Sequence, residues 1–449
     1  MDTATGSSVS TKESEPHHNP AAVRRAAWAG LIGTTLEQYD FVIYGTASAL
    51  IFNQLFFPNI SPAAGIIASF SAYAVGFLAR PLGGLFFSRY GDRLGRKWVL
   101  VMGGATMAIG LLPTYEQVGL LAPTLLVACR FLQGFGAGAE QSGGATLLTE
   151  TAQIGRRGRL AALVMTGAAL GTALGAIAWI LAQLLPDDQL MAWGWRMVFL
   201  SSIVVTVAAF IIRRKLSESP VFQELKAAQE RPKAPVKEVF KNGKKPLFIV
   251  MFMTVGISAQ SYTYQVFMAS YMKNDLAIDP TFIPKVLLVG AICGGIAAYG
   301  FGILSDKVGR KPVYIGIVSL LVILPIPTFM ALDTGSFILI TVVMIIGFIL
   351  ACQGAVGVTM SYFPEIFGAR YRYAGVTLGR EFASVFGGGI APLICAGLIT
   401  AFSGSWVPVA VYMMIMAVSV LIASAFAPET RDRDLTDLAN ATDPIREKV

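Results

Sequence analysis

The chain has 449 residues, 55% hydrophobic and 14% charged, with a mean hydropathy of +0.63. Soluble globular chains carry about 25% charged residues, so the composition excludes an ordinary soluble domain and points to an all-α, multi-pass membrane protein. The formal net charge of +8 is read through its distribution along the chain, and no nucleic-acid partner is expected.

The first 25 residues are polar, with no cleavable signal peptide expected, and form an N-terminal tail (1–25) that holds the two histidines, His17 and His18. A helix needs about 20 apolar residues to cross a bilayer core. Twelve such runs follow, at 26–52, 65–87, 98–113, 119–148, 159–185, 196–213, 247–272, 282–304, 312–331, 336–362, 374–402 and 406–427. Connections on one side carry "SRYGDRLGRK", "GRRGR", "RRK", "SDKVGRK" and "GARYR", whereas 53–64, 114–118, 186–194, 332–335 and 403–405 hold no Lys or Arg. By the positive-inside rule both termini are cytoplasmic, in a plasma or inner membrane. The Lys-, Glu- and Pro-rich connection 214–246 divides the chain into bundles of six spans each, 26–213 and 247–427, followed by a tail at 428–449. The four cysteines lie in apolar runs without ligand spacing, so no metal site and no cofactor is expected.

"SRYGDRLGRK" (88–97) follows the second span and "GILSDKVGRK" (302–311) follows the eighth, with acid, glycine and basic pair at the same offsets. Parallel duplication of a six-span unit explains both. With "RFLQG" (130–134) and "YFPEIFGARYRYAG" (362–375), these motifs resemble the major facilitator superfamily. "EQYDFVIYG" (37–45), "FLARPLGG" (77–84), "RFLQGFGAGAEQSGGA" (130–145), "WGWRMVF" (193–199), "ESPVF" (218–222) and "FGGGIAPLI" (386–394) resemble its metabolite:proton symporters of the shikimate, dicarboxylate and proline/betaine type. Gln38 departs from that pattern, which usually has Trp there. The resemblance implies the two-bundle major facilitator fold, a central cavity and alternating access. It also implies that Asp92, Arg93, Gly95 and Arg96, and in the second half Gly302, Asp306, Gly309 and Arg310, latch the cytoplasmic side.

Glu37 and Asp40 fall near the middle of the first span, where a charge costs roughly 2.5–3.5 kcal/mol. Their i, i+3 spacing, continued by Tyr44 at i+4 from Asp40, puts acid, acid and phenol on one stripe. Arg130, at similar depth in the fourth span, is the expected counter-charge, and Asp40 or Glu37 the expected proton site, with a static ion pair and a Na⁺ site as alternatives. Tyr44, Arg80, Arg130, Gln260 and Tyr264 of "SAQSYTYQ" (258–265), and Gln353 are candidate substrate ligands, since an Arg fork matches a carboxylate. The adjacent Arg380 and Glu381 are read as an internal gating pair.

No phosphate-binding loop, catalytic triad or metal cluster is found, so an enzyme or ATP-driven pump is not expected. The expected function is a monomeric, proton-coupled symporter for a small organic carboxylate, with protons, the substrate and the lipid bilayer as partners. The alternatives are a zwitterionic osmolyte symporter or an uncoupled facilitator; a tail without heptads disfavours the osmolyte branch.

Overall fold

The computed structural model describes residues 20–94, 98–138, 141–215 and 235–443. Among these the chain is helical, with no strand. Eight helices are long and apolar enough to cross a bilayer: Pro62–Phe86, Arg157–Ala182, Asp187–Ala208, Lys244–Asn274, Phe282–Val308, Phe337–Ile366, Arg372–Ala401 and Val407–Phe426. A ninth consists of Arg310–Ile323 and Pro325–Asp333, bent by 42° at the break, where Pro325 lacks the N–H that would continue the ladder. The other three expected spans fall on Pro20–Leu50, Trp98–Gly110, and Leu121–Ala137 followed by Gln141–Thr151. The first carries two arginines and two acids, the second has 13 residues, and the third is divided after Ala137. The boundary expected at 247 moves back, because the helix starts at Lys244 behind a short helix at Pro235–Asn242.

Four seams join the halves of the chain. The Pro20–Leu50 helix meets Lys244–Asn274, where Gln38 bonds Gln265. Pro62–Leu94 meets Arg372–Ala401 through Arg80 and Glu381. Arg157–Ala182 meets Phe282–Val308 through Gly158 and Asp306. Gln141–Thr151 meets Phe337–Ile366, where Thr149 donates to the Met360 carbonyl. The second and third seams exchange the roles of the second and fifth spans of each half, the reciprocity expected of a duplicated unit. Three of the second-half helices contain a π-helical stretch, at Thr263–Phe267, Phe348–Gly354 and Val385–Gly389. Such stretches rotate the side chains that follow and often sit at functional sites.

Lipid supplies no hydrophobic drive between helices, so close backbone packing through small residues has to hold them. The tightest cases lie within the first half: a Cβ at Gly134 would be 1.9 Å from the Gly76 carbonyl oxygen, and one at Gly83 1.9 Å from that of Phe135. Gly134→Ala should therefore force two helices apart and lower stability by about 1–3 kcal/mol in thermal unfolding of the detergent-solubilised protein. Gly104→Ala, whose Cβ would meet nothing within 4 Å, should unfold at the wild-type temperature.

Candidate functional site: a closed cavity between the halves

A cavity of about 70 Å³ lies between the halves. Its wall takes Gln38 and Arg80 from the first half and Ser258, Ser261, Gln265 and Gln353 among others from the second. That volume suits a few waters and is far below the roughly 300–1,000 Å³ of a ligand-holding pocket. Contacts between the halves cross both ends. At the end bearing the basic loops, the Asp306 carboxylate accepts from the Gly158 and Arg159 amides at 2.8 and 2.9 Å, and Arg372 pairs with Glu150 at 2.8 Å. At the opposite end Lys273 donates to the Leu50 carbonyl, Asn274 to Ala49 at 3.4 Å and Gln183 to Pro280 at 3.1 Å.

The dominant polar feature of the wall is a three-residue ion cluster. Arg80 Nη1 lies 2.7 Å from Glu37 Oε1, and Arg80 Nε lies 2.8 Å from Glu381 Oε2. Each of these side chains is only 5% exposed. Glu37 and Arg80 come from the first half and Glu381 from the second, so the cluster crosses the seam. This corrects two expectations. Glu37 pairs with Arg80 and not with Arg130. Glu381 turns to Arg80 and not to its neighbour Arg380, because consecutive helical residues point about 100° apart; Arg380 lines the cavity with one nitrogen 3.4 Å from Met360 Sδ.

Asp40, Tyr44 and Arg130 cluster behind the wall, inside the first half, and none of them lines the cavity. Arg130 has no carboxylate within ion-pair distance among the described residues. Its guanidinium sits over the rings of Phe41, Tyr44 and Tyr73 at 4.2, 4.3 and 4.7 Å and donates to Gln133 Oε1 at 2.5 Å. Gln133 in turn donates to Thr106 at 2.7 Å. Both Asp40 carboxylate oxygens and the Tyr44 hydroxyl are buried outside ordinary hydrogen-bond distance of a partner, with the Thr106 side chain the polar group beside Asp40.

In "SAQSYTYQ" the cavity face is Ser258, Ser261, Tyr262 and Gln265, the i, i+3, i+4, i+7 stripe of one helix face. Gln260 and Tyr264 point away: Gln260 donates to the Met413 carbonyl at 2.5 Å and the Tyr264 hydroxyl meets Thr328 at 2.9 Å. The polar stripe itself was the available signal for Ser258, Ser261 and Gln265. Gln38 Nε2 donates to Gln265 Oε1 at 3.0 Å. Gln353 is on the wall, with its Oε1 buried and unpartnered.

At the basic end, Gly302 packs on Gly158, and Gly309 (φ +120°) turns the chain between two helices. Arg310 joins Asp306 at 2.8 Å and Glu365 at 3.1 Å. Gly95 and Arg96 lie outside the described residues, as do the side chains of Asp92 and Arg93. The segment after the last helix, expected as a plain tail, folds across this end. Glu429 caps the Arg310–Ile323 helix by accepting from the Arg310 and Lys311 amides at 2.9 and 3.0 Å, where the helix dipole favours an anion. Thr430 donates to Glu365 at 2.7 Å, and Arg157 of the first half donates to the Arg433 carbonyl at 2.6 Å. Glu365, Glu429, Glu150 and Arg372 escaped the sequence reading because their partners lie far away in the chain.

The profile of the Major Facilitator Superfamily matches residues 31–379. The chain is 35% identical to the shikimate transporter of Escherichia coli (strain K12), over 90% of this chain and 94% of that one. It is 30% identical to the proline/betaine transporter of the same strain, over 95% and 87%. Its fold matches the E. coli xylose transporter XylE in a partially occluded inward-open conformation, with a TM-score of 0.69 at 19% identity, covering 92% of this chain and all of that one.

Removing the cation of a buried ion cluster leaves its acids uncompensated. Arg80→Met should cost about 3–5 kcal/mol of stability, read as a fall in detergent melting temperature. Combining it with Glu37→Gln and Glu381→Gln should recover most of that loss; a single variant as stable as wild type would contradict the cluster.

Proposed function

The chain belongs to the major facilitator superfamily, and from that premise we propose that it is a proton-coupled symporter importing a small organic carboxylate by alternating access. Its family and relatives are transporters, not enzymes. The observation that supports the reading best is Arg80: a guanidinium on the cavity wall, held by carboxylates from both halves. A substrate carboxylate reaching Arg80 offers the same bidentate match as Glu381 and so competes for the contact that ties the halves together. Gln38, Ser258, Ser261, Gln265 and Gln353 then supply hydrogen bonds to the rest of the solute. Relatedness to a shikimate transporter supports the carboxylate class.

Asp40 is the proposed proton site. A buried carboxylate without a partner is costly as an anion, whereas Glu37 has its charge matched by Arg80. In this reading 26–213 and 247–427 are the two rocking bundles, in an inner membrane with both termini cytoplasmic. The contacts of Gly302, Asp306, Gly309 and Arg310, and by repeat those of Asp92, Arg93, Gly95 and Arg96, are the cytoplasmic latch. A second reading, a zwitterion such as proline or betaine, is favoured by the sharing of the cavity wall between Glu381 and the arginines Arg80 and Arg380, and by a relative of that name at 30% identity.

Uptake of labelled shikimate, proline and glycine betaine into proteoliposomes separates these readings. The expected result is accumulation of the carboxylate alone, driven by an inward proton gradient and lost when the gradient is collapsed. Uptake indifferent to the gradient would mean a facilitator. Asp40→Asn should lose accumulation by at least tenfold while still exchanging internal for external substrate; full accumulation by that variant would remove Asp40 from the coupling.

A further inference from the structure

Arg130 is fully buried and its cationic group faces rings, not an acid. Three ring centroids lie within 4.7 Å of its Cζ, inside the roughly 6 Å range of cation–π attraction, which is strongest where water is excluded. The site is shaped for this cation: a Cβ at Gly76 would come within 2.5 Å of Arg130 Nε. One guanidinium nitrogen, Nη2, has no hydrogen-bond partner, and neither does either oxygen of Asp40. Arg130 and Asp40 are close enough to interact electrostatically but form no ion pair. Phe41, the residue after Asp40, also lies 5.4 Å from the Cζ of Arg80, so one ring touches both arginines.

We propose that Phe41, Tyr44 and Tyr73 form an aromatic cage that takes the place of a counter-ion for Arg130 while the cavity is closed. The cage holds Arg130 off Asp40, and Asp40 keeps its proton. When Asp40 releases the proton, Arg130 leaves the rings and pairs with the new carboxylate. Because Phe41 also rests on Arg80, that movement reaches the contact joining the two halves. The three aromatic residues are positioning residues: they act on Asp40 through Arg130. The charged and titratable groups around this site are Glu37, Tyr39 and Tyr44 on Asp40's own helix, Tyr73 and Arg80 from Pro62–Leu94, Cys129 and Arg130 from Leu121–Ala137, and Tyr262 from Lys244–Tyr262. The inference rests on Asp40 being the proton site, and its test needs no substrate.

Infrared difference spectroscopy of the purified protein, titrated with pH, reads the C=O stretch of a protonated carboxyl directly. A band absent from Asp40→Asn is the signal of Asp40, and its half-height gives the titration midpoint. Tyr44→Leu and Tyr73→Leu, on separate helices, remove a ring and free Arg130 to pair with Asp40, so each should move the midpoint down by about one pH unit. Tyr44→Phe keeps the ring and should keep the midpoint. Leucine variants that titrate with the wild type would overturn the cage, as would a Tyr44→Phe shift equal to that of Tyr44→Leu. The lack of any band that Asp40→Asn abolishes would instead overturn Asp40 as the proton site, whatever the rings do.

Discussion

One buried guanidinium, Arg80, forms an ion pair with a carboxylate from each half of the protein. Much else in the structure follows from placing a charge there. A lone arginine near mid-membrane costs several kcal/mol, and two lone acids add to that. Together they offset one another, but only while the halves stay in register. The cluster therefore ties the stability of the closed form to the contact that transport has to break. In the proposed reading substrate charge acts on Arg80 and proton charge on Asp40, two sites that share the Phe41 ring through Arg80 and Arg130.

The ends of the molecule follow a related logic with softer parts. At the basic end, the Asp306 carboxylate sits on the amino end of the Arg157–Ala182 helix, and Arg310 links it to Glu365. The segment after the last helix adds Glu429, Thr430 and Arg433 to the same network. At the other end the contacts are side chains on carbonyls. Each is worth about 0.5–1.5 kcal/mol net, more where a charged group takes part. Sums of that size can be undone by a ligand's differential affinity of a few kcal/mol.

Depth in the membrane was legible in the sequence, and so was the duplication. Hydropathy and the paired D-x-x-G-R-K loops placed Glu37, Asp40 and Arg130 at comparable levels. Rotation about each helix axis was not legible. Arg130 was the expected counter-charge for Glu37, and only the azimuth decided for Arg80. The same ambiguity put Gln260 and Tyr264 on the cavity in place of Ser261 and Gln265, an error that the i, i+3, i+4, i+7 spacing could have prevented. The rings around Arg130 were hidden for another reason. Phe41 and Tyr73 read as ordinary apolar filling until a cation is seen among them. Contacts such as Glu429 with Arg310 join residues more than a hundred positions apart, and no local pattern announces them.

The clasp at Arg80 is tested most directly by pulsed-electron-resonance distances between spin labels at exposed positions across each end. Ile154 and Val308 suit the basic end, and Leu184 and Phe402 the opposite end. In wild type without substrate, both pairs should give one narrow distribution. In Glu381→Gln, which removes the second-half arm of the cluster, a longer-distance population should appear at one end. Distributions identical to wild type at both ends would contradict the idea that Arg80 holds the halves closed.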